Sequence, residues 1–274
     1  MEADDEGGKY RAGAEFVRQH LGPRELNKIT QRAVADACPD LARKYARLGG
    51  VDDETLTVAE DQWDWKIPRG VRSLAVLMAS LPEERRGSII TTNFDPLLEV
   101  ALRRVGGRPR IYAFDVDGHL KTLESGFVEV VHVHGYWRDT DTLHCDHQLI
   151  QNRPRLERAL AKRLRENDVF VVGYGGWDDV ISRFFNTNVD AYDFDGMDVA
   201  WGAFGSVDPS SVGPALDPRF GRSNSVVLYE GVDVNEVLPK VIDRVKDRSD
   251  VDLRFGLMRS DRRARSGLYT SAVV

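Results

Sequence analysis

The spacing of hydrophobic and polar residues changes near residue 87 of this 274-residue chain. Between residues 9 and 80, apolar residues recur every three or four positions, as they do along one face of a helix. Four such runs are separated by residues that commonly end helices, namely Gly22-Pro23, Pro39, Gly49-Gly50 and Leu81-Pro82. The polar, acidic segment 51–66 does not follow the pattern. The first part of the chain is therefore predicted to be helical, with no strand before residue 87.

From residue 88 onward, short apolar runs typical of buried strands alternate with helical patterns. The predicted strands cover residues 88–92, 128–133, 168–173, 199–204 and 225–229. The predicted helices begin at Asp95-Pro96 and at Pro154, run through residues 180–185, and follow the last strand through residue 245. Because the strands are apolar on both faces, the pattern predicts an α/β fold in which helices cover both faces of a parallel sheet.

The same patterns divide the chain into four segments. Residues 1–8 are predicted to be a disordered acidic tail and residues 9–86 a helical region. Residues 87–248 form the predicted α/β core, and the basic, then small and polar residues 249–274 form a flexible tail.

Composition excludes several classes of protein. The 38 Lys and Arg residues against 44 Asp and Glu residues give a net charge of −6, so direct nucleic-acid binding is not expected. Two cysteines, Cys38 and Cys145, exclude a disulfide framework and any zinc site built from Cys-x-x-Cys pairs. The acidic start is unlike a signal peptide, and no apolar run reaches the ~18 residues of a membrane span. We therefore expect a cytoplasmic protein without a membrane partner.

Polar residues follow three of the predicted strands, and ligands of open parallel sheets bind beyond the carboxyl ends of the strands. After the first strand, Thr91, Thr92 and Asn93 offer donors and acceptors for a sugar hydroxyl or a bound water. Asp95 precedes Pro96 and is suited to cap the following helix, a role that does not exclude contact with a ligand.

The second strand ends in His132 and His134, which point the same way if the strand is regular. No third ligand at metal spacing is nearby, since His144 and His147 lie in a polar loop, so no metal is expected. His134 precedes Gly135, which lets the chain open, and an imidazole there is suited to be a general base near neutral pH. The alternative is that His134 is a half-buried histidine with a structural role only.

The third strand leads into a glycine-rich segment, residues 173–176. Glycines between a strand and a helix allow the backbone to approach a ligand closely, and the N-terminus of the helix favours an anion. The alternative is a tight turn that Asp178 or Asp179 caps.

Together these segments resemble elements of the sirtuin (SIR2) superfamily. Residues 89–95 are similar to its TTNxD element, residues 132–135 to its HxHG element and residues 172–175 to its later strand-turn element. Residues 231–233 resemble a late element that contacts adenosine, and the order and spacing agree over about residues 68–245. The segments NFDPLLE and GYGGWDD are more similar to the bacterial SIR2-like defence branch than to protein deacetylases.

This resemblance implies a Rossmann-like NAD+ site and cleavage of the bond between nicotinamide and ribose. It implies that Asn93 orients the ribose and the attacking water, and that His134 is the general base or a partner of a ribose hydroxyl. It also implies that Asp95 supports the nicotinamide side. The other residues that it assigns to the nucleotide are Thr91, Thr92, Gly135, Gly173, Tyr174, Gly175 and Asp233.

The sequence departs from the superfamily in two respects. It has no four-cysteine zinc module, which favours hydrolysis of free NAD+ over peptide deacylation and predicts no zinc. It also shows no first strand followed by a GAG loop, which favours a degenerate nucleotide-binding or scaffold module. We expect an NAD+ hydrolase of bacterial anti-phage defence that acts as a homo-oligomer or with a partner sensor protein. The degenerate module and an NAD-dependent deacylase are the alternatives.

Overall fold

The computed structural model of the chain describes residues 6–122, 124–165, 167–174, 180–181, 183, 199–205 and 226–248. Its helices are α1 (Glu6–Leu21), α2 (Pro23–Ala35), α3 (Pro39–Leu48), α4 (Asp53–Gln62), α5 (Arg69–Ser80), α6 (Leu97–Arg104), α7 (Asp146–Leu149), α8 (Pro154–Arg165) and α9 (Val234–Arg248). Its strands are β1 (Ile89–Thr91), β2 (Pro109–Ala113), β3 (Val128–His132), β4 (Val169–Val172), β5 (Val199–Gly202) and β6 (Val226–Tyr229).

The helical character of the first part is confirmed, because residues 6–86 are described without a gap and contain no strand. The predicted ends of these helices are also confirmed. Gly49, for example, ends α3 in the left-handed conformation at φ 73°, which glycine adopts without steric strain. The acidic segment 51–66 was not predicted to be helical, yet it forms α4. Asp52 caps this helix by accepting a hydrogen bond from the amide of Thr55 at 2.7 Å.

Parallel pairing connects the described strands, as the α/β pattern predicted. They form two three-stranded sheets, with the strand orders β1-β3-β2 and β4-β5-β6. In the first sheet Thr91 of β1 lies beside His132 of β3, so these two strands end at the same level. Strand β2 was not predicted. It lies at the edge of its sheet with every residue only half-buried, so it lacks the apolar run of a buried strand.

Strand β3 is buried on both faces and contributes to two hydrophobic clusters. Val128 and Val130 belong to a cluster with helices α2 to α6 and α9. Val131 belongs to a second cluster, in which Leu156 and Leu160 of α8 pack with residues of β5. Successive side chains of a strand point to opposite faces, so helices cover both sides of this sheet. None of the helices within the described residues is long and apolar enough to cross a membrane.

Candidate functional site

The loop after β1 is organised by its own side chains. Thr91 Oγ1 accepts a hydrogen bond from the Asn93 amide at 3.0 Å. Asp95 Oδ1 accepts one at 3.0 Å from the amide of Leu97, the first residue of α6, whereas Pro96 occupies the N-cap position of this helix. Burial raises the pKa of Asp95, and the nearby Glu99 carboxylate raises it further. Among the described residues, Thr91 and His132 form hydrogen bonds with the backbone amide and carbonyl of Asn93, which fixes the loop at this residue.

His132, at the end of β3, is fully buried and engaged at both ring nitrogens. Its Nδ1 lies 2.6 Å from the carbonyl oxygen of Asn93, and its Nε2 lies 2.8 Å from Oε1 of Glu99. Burial alone lowers the pKa of His132, but the Glu99 carboxylate and both hydrogen bonds outweigh it and raise the pKa. His132 therefore fixes the backbone of the Asn93 loop, and Glu99 is a site residue that the sequence analysis missed.

The turn at His134 is fitted closely to the segment that follows it. Gly135 adopts φ 84°, and a Cβ on it would lie 1.9 Å from the carbonyl oxygen of Asp141, so a larger residue cannot occupy this position without rearrangement. The carbonyl of buried His134 accepts a hydrogen bond from the Leu143 amide at 2.9 Å.

Two backbone hydrogen bonds join the loops that carry Asn93 and His134. The Val133 amide donates to the carbonyl of Thr91 at 3.0 Å, and the Trp137 amide donates to the carbonyl of Phe94 at 2.7 Å. The loops after β1 and β3 therefore form one unit at the carboxyl ends of adjacent parallel strands, where the sequence analysis expected a ligand.

His144 lies in a loop, as predicted, but its ring is buried and contacts α1 and α2. Its Nδ1 lies 2.5 Å from the hydroxyl of Tyr10, and its Nε2 lies 2.6 Å and 3.2 Å from the hydroxyls of Thr142 and Thr30. Burial, with smaller contributions from His134 and Arg18, lowers the pKa of His144 to about 4. His144 is consequently neutral near pH 7, and it lies close enough to His134 for their charges to interact.

The residues after Gly135 are anchored from α4 by one buried carboxylate. Glu60 accepts hydrogen bonds from Tyr136 Oη at 3.2 Å, from Trp137 Nε1 at 3.0 Å and from Arg138 Nε at 2.9 Å. Arg103 Nη1 of α6 reaches its other carboxylate oxygen at 3.2 Å. Helix α4 therefore helps to position the segment that follows the HxHG element.

The structure covers part of the third predicted segment. Gly173 adopts φ 66° after β4, and the Tyr174 ring lies 5.8 Å from the Trp201 ring, beside the cluster that contains Val131. Gly175 and residues 176–179 lie outside the described residues. Asp233, after β6, caps α9 by accepting a hydrogen bond from the Asn235 amide at 2.8 Å.

Parallel strands that end in polar loops define an α/β protein, a class in which ligands generally bind at the carboxyl edge of the sheet. Residues 87–199, from just before β1 to the first residue of β5, match the family model of the SIR2-like domain. This match supports the SIR2-like superfamily for that segment, as the resemblance predicted. No curated protein matches the chain.

Proposed function

We propose that the chain is a SIR2-like NAD+ glycohydrolase that releases nicotinamide and ADP-ribose. One observation carries the proposal: the loops of Asn93 and His134 are hydrogen-bonded together at the ends of two parallel strands, within the segment that matches the SIR2-like domain. An amide, an imidazole and the partly exposed Thr91 and Thr92 supply the polar groups that a ribose and a water would need.

In the proposed reaction, the bond between nicotinamide nitrogen and ribose C1′ breaks and its electron pair stays with nicotinamide. The positive pyridinium becomes neutral nicotinamide, so no general acid has to protonate the leaving group. The sugar passes through an oxocarbenium-like state, and water adds from the opposite face. Asn93 orients the ribose and this water, and His134 accepts the water proton or holds a ribose hydroxyl.

The remaining residues of the proposal surround the nucleotide. Asp95 supports the nicotinamide side, where its raised pKa favours the uncharged acid more than at an exposed position. Gly135 and Gly173 allow the backbone to approach the nucleotide closely. The other residues proposed to contact the nucleotide are Tyr174, Gly175 and Asp233. A role in bacterial anti-phage defence, in a homo-oligomer or with a sensor protein, follows from the branch that the NFDPLLE and GYGGWDD segments resemble.

The test is nicotinamide release from NAD+ by the purified chain. We expect release by the wild type and a loss of at least about a hundredfold in Asn93→Ala and His134→Ala, since each removes a group that acts on the reacting sugar or water. Asn152→Ala and His119→Ala change the same residue types at exposed positions and serve as matched controls. They should retain wild-type rates.

The same assay distinguishes the alternatives. No release by the wild type, alone or with candidate partners, contradicts the hydrolase and favours a nucleotide-binding or scaffold module. Release that requires an acyl-lysine peptide favours a deacylase. Equal losses in the control variants would show that the substitutions act on folding rather than on the reaction.

A further inference from the structure

Helix α1 presents one face to the segment from Thr142 to His147, in which the His144 ring contacts Tyr10 of α1 and also lies 4.9 Å from the ring of Phe94 in the loop after β1. Tyr10, Ala14 and Glu15 lie on this face at helical spacing. Ala14 packs with Cys145 and Leu26, and Arg11 forms a 3.0 Å ion pair with Asp146. Few apolar residues take part in this contact, so polar side chains form much of the interface between α1 and this segment.

Three metal-ligating side chains meet at this contact. The Cys145 thiol donates a hydrogen bond to the Glu15 carboxylate, and His147 Nδ1 lies 3.1 Å from Glu15 Oε2. The ligand atoms of all three residues lie within 4.8 Å of one another. Among the residues that the structure describes, this is the group of histidine, cysteine and acidic side chains whose atoms come close enough to share one ion.

The surrounding contacts hold one of these residues, Cys145, in place. The Gln148 side chain accepts hydrogen bonds from the amides of His144 and Cys145, both at 3.2 Å. Cys145 is 1% exposed, so its sulfur is fixed in the interior, whereas Glu15 and His147 reach it from partly exposed positions. A fixed sulfur with two adjustable partners is an arrangement that a small ion can close without moving the backbone.

We propose that Glu15, Cys145 and His147 bind a zinc ion that fastens α1 to the segment after the HxHG element. Neighbouring ligands of tetrahedral zinc lie about 3.3–3.8 Å apart, so a shift of about 1 Å or less in the Glu15 and His147 side chains closes the site. The sulfur–zinc bond forms as the thiol proton leaves to solvent, and water takes the fourth position. A thiolate with an imidazole favours zinc over magnesium or calcium, which prefer sets of oxygen ligands.

Sequence reasoning predicted no metal because neither cysteine has a close partner in the sequence, and because no third ligand accompanies His132 and His134. Glu15 belongs to α1, which lies far from Cys145 and His147 in the sequence and reaches them only in the folded chain. This proposal does not depend on the NAD+ hydrolase. The ion would hold Tyr10 over His144, and so would stabilise the covering of that histidine.

The experiment uses the untagged 274-residue chain, stripped with a chelator under reducing conditions and titrated with Zn²⁺. We expect one zinc per chain, and a sulfur-to-metal charge-transfer band when Co²⁺ replaces zinc. The ligand variants are Glu15→Gln, Cys145→Ser and His147→Gln, and the matched controls are Glu25→Gln, Cys38→Ser and His20→Gln. Each ligand variant should lose at least about a hundredfold in zinc affinity, while each control should bind as the wild type does.

A second measurement distinguishes a lost ligand from a lost fold. Trypsin cleavage after Arg11 and Arg18 in α1 should slow when zinc is added to the wild type, and zinc should have no effect in Glu15→Gln. Glu15 and His147 are partly exposed, so circular dichroism of these two variants should match the wild type. No stoichiometric binding by the wild type, or equal binding by ligand and control variants, would overturn the proposal.

Discussion

The histidine at position 144 is uncharged because protein groups surround its ring. A neutral imidazole that accepts at Nδ1 from the Tyr10 hydroxyl and donates at Nε2 to Thr142 matches the contacts of the site. A second proton on Nδ1 would require the Tyr10 hydroxyl to change from donor to acceptor, and would place a charge beside His134. Protonation of His144 therefore destabilises the packing of α1 and α2 against its ring.

This histidine makes the folded chain sensitive to acid. The pKa of His144 is about 4 in the folded state, against about 6.5 for an unfolded histidine, so the unfolded chain binds the proton more tightly. Above the pKa of the unfolded state, about 6.5, His144 does not change the free energy of unfolding. As the pH falls from there toward 4, the free energy of unfolding decreases. The loss attributable to His144 is about 2 kcal/mol between pH 7 and pH 5. Chemical denaturation at both pH values measures it.

The variant His144→Gln retains hydrogen-bonding groups but does not titrate. Its free energy of unfolding should depend less on pH than that of the wild type, by about the same 2 kcal/mol. His119→Gln, at an exposed position, should keep the wild-type dependence. Parallel pH profiles for wild type and His144→Gln would show that the ring is not held neutral.

Whether the sequence could identify an individual residue depends on how far along the chain its contact partners lie. Asn93 and His134 stand out because local motifs and strand ends mark them. The partners of His144 come from Tyr10 and Thr30, more than one hundred positions away. No local pattern indicates such a contact, and hydrophobic periodicity does not report which polar residues the helices will cover.

At the scale of elements, one carboxylate of α4 accepts hydrogen bonds from several parts of the chain. Glu60 is buried and accepts hydrogen bonds from two guanidinium groups, an indole and a phenol. Removing the charge of Glu60 takes away the buried counter-charge of both guanidinium groups, and among the described residues only Arg103 keeps a second ion pair, with Asp61 at 3.5 Å. The loss of a buried partner costs more than the pair itself contributes. This helix therefore connects α6 to the segment that follows Gly135.

The variant Glu60→Gln should lower the free energy of unfolding by about 3 kcal/mol. Glu54→Gln, on the exposed side of the same helix, should change it by less than about 0.5 kcal/mol. Urea denaturation of both variants at neutral pH provides the comparison. Similar values for the two substitutions would contradict the role of Glu60 as the common acceptor.

The elements that the sequence failed to predict share a physical cause. Helix α4 presents acidic residues outward and buries few positions, so its apolar periodicity is weak; the Asp52 cap was its clearest signal. Strand β2 begins at Pro109 and includes Arg110, so it also lacks an apolar run. Strands β1 and β3 were predicted because burial on both sides requires an almost continuous apolar sequence.

At the scale of the whole molecule, β3 connects the two hydrophobic clusters. Val130 faces the cluster that contains α5, and Val131 faces the cluster that contains α8. Both valines are fully buried. Because adjacent residues of one strand serve the two clusters, loss of packing on one face displaces the strand that the other face requires. The clusters are therefore expected to open together.

Val130→Ala and Val131→Ala should each lower the free energy of unfolding by about 2 kcal/mol, from lost burial and the cavity that remains. Hydrogen exchange measured by mass spectrometry tests the coupling, since either substitution should accelerate exchange in both α5 and α8. Val227→Ala, at a position 48% exposed, is the control and should leave both helices unchanged. If Val130→Ala affected α5 alone and Val131→Ala affected α8 alone, the clusters would be independent; shared acceleration means that β3 makes them one cooperative unit.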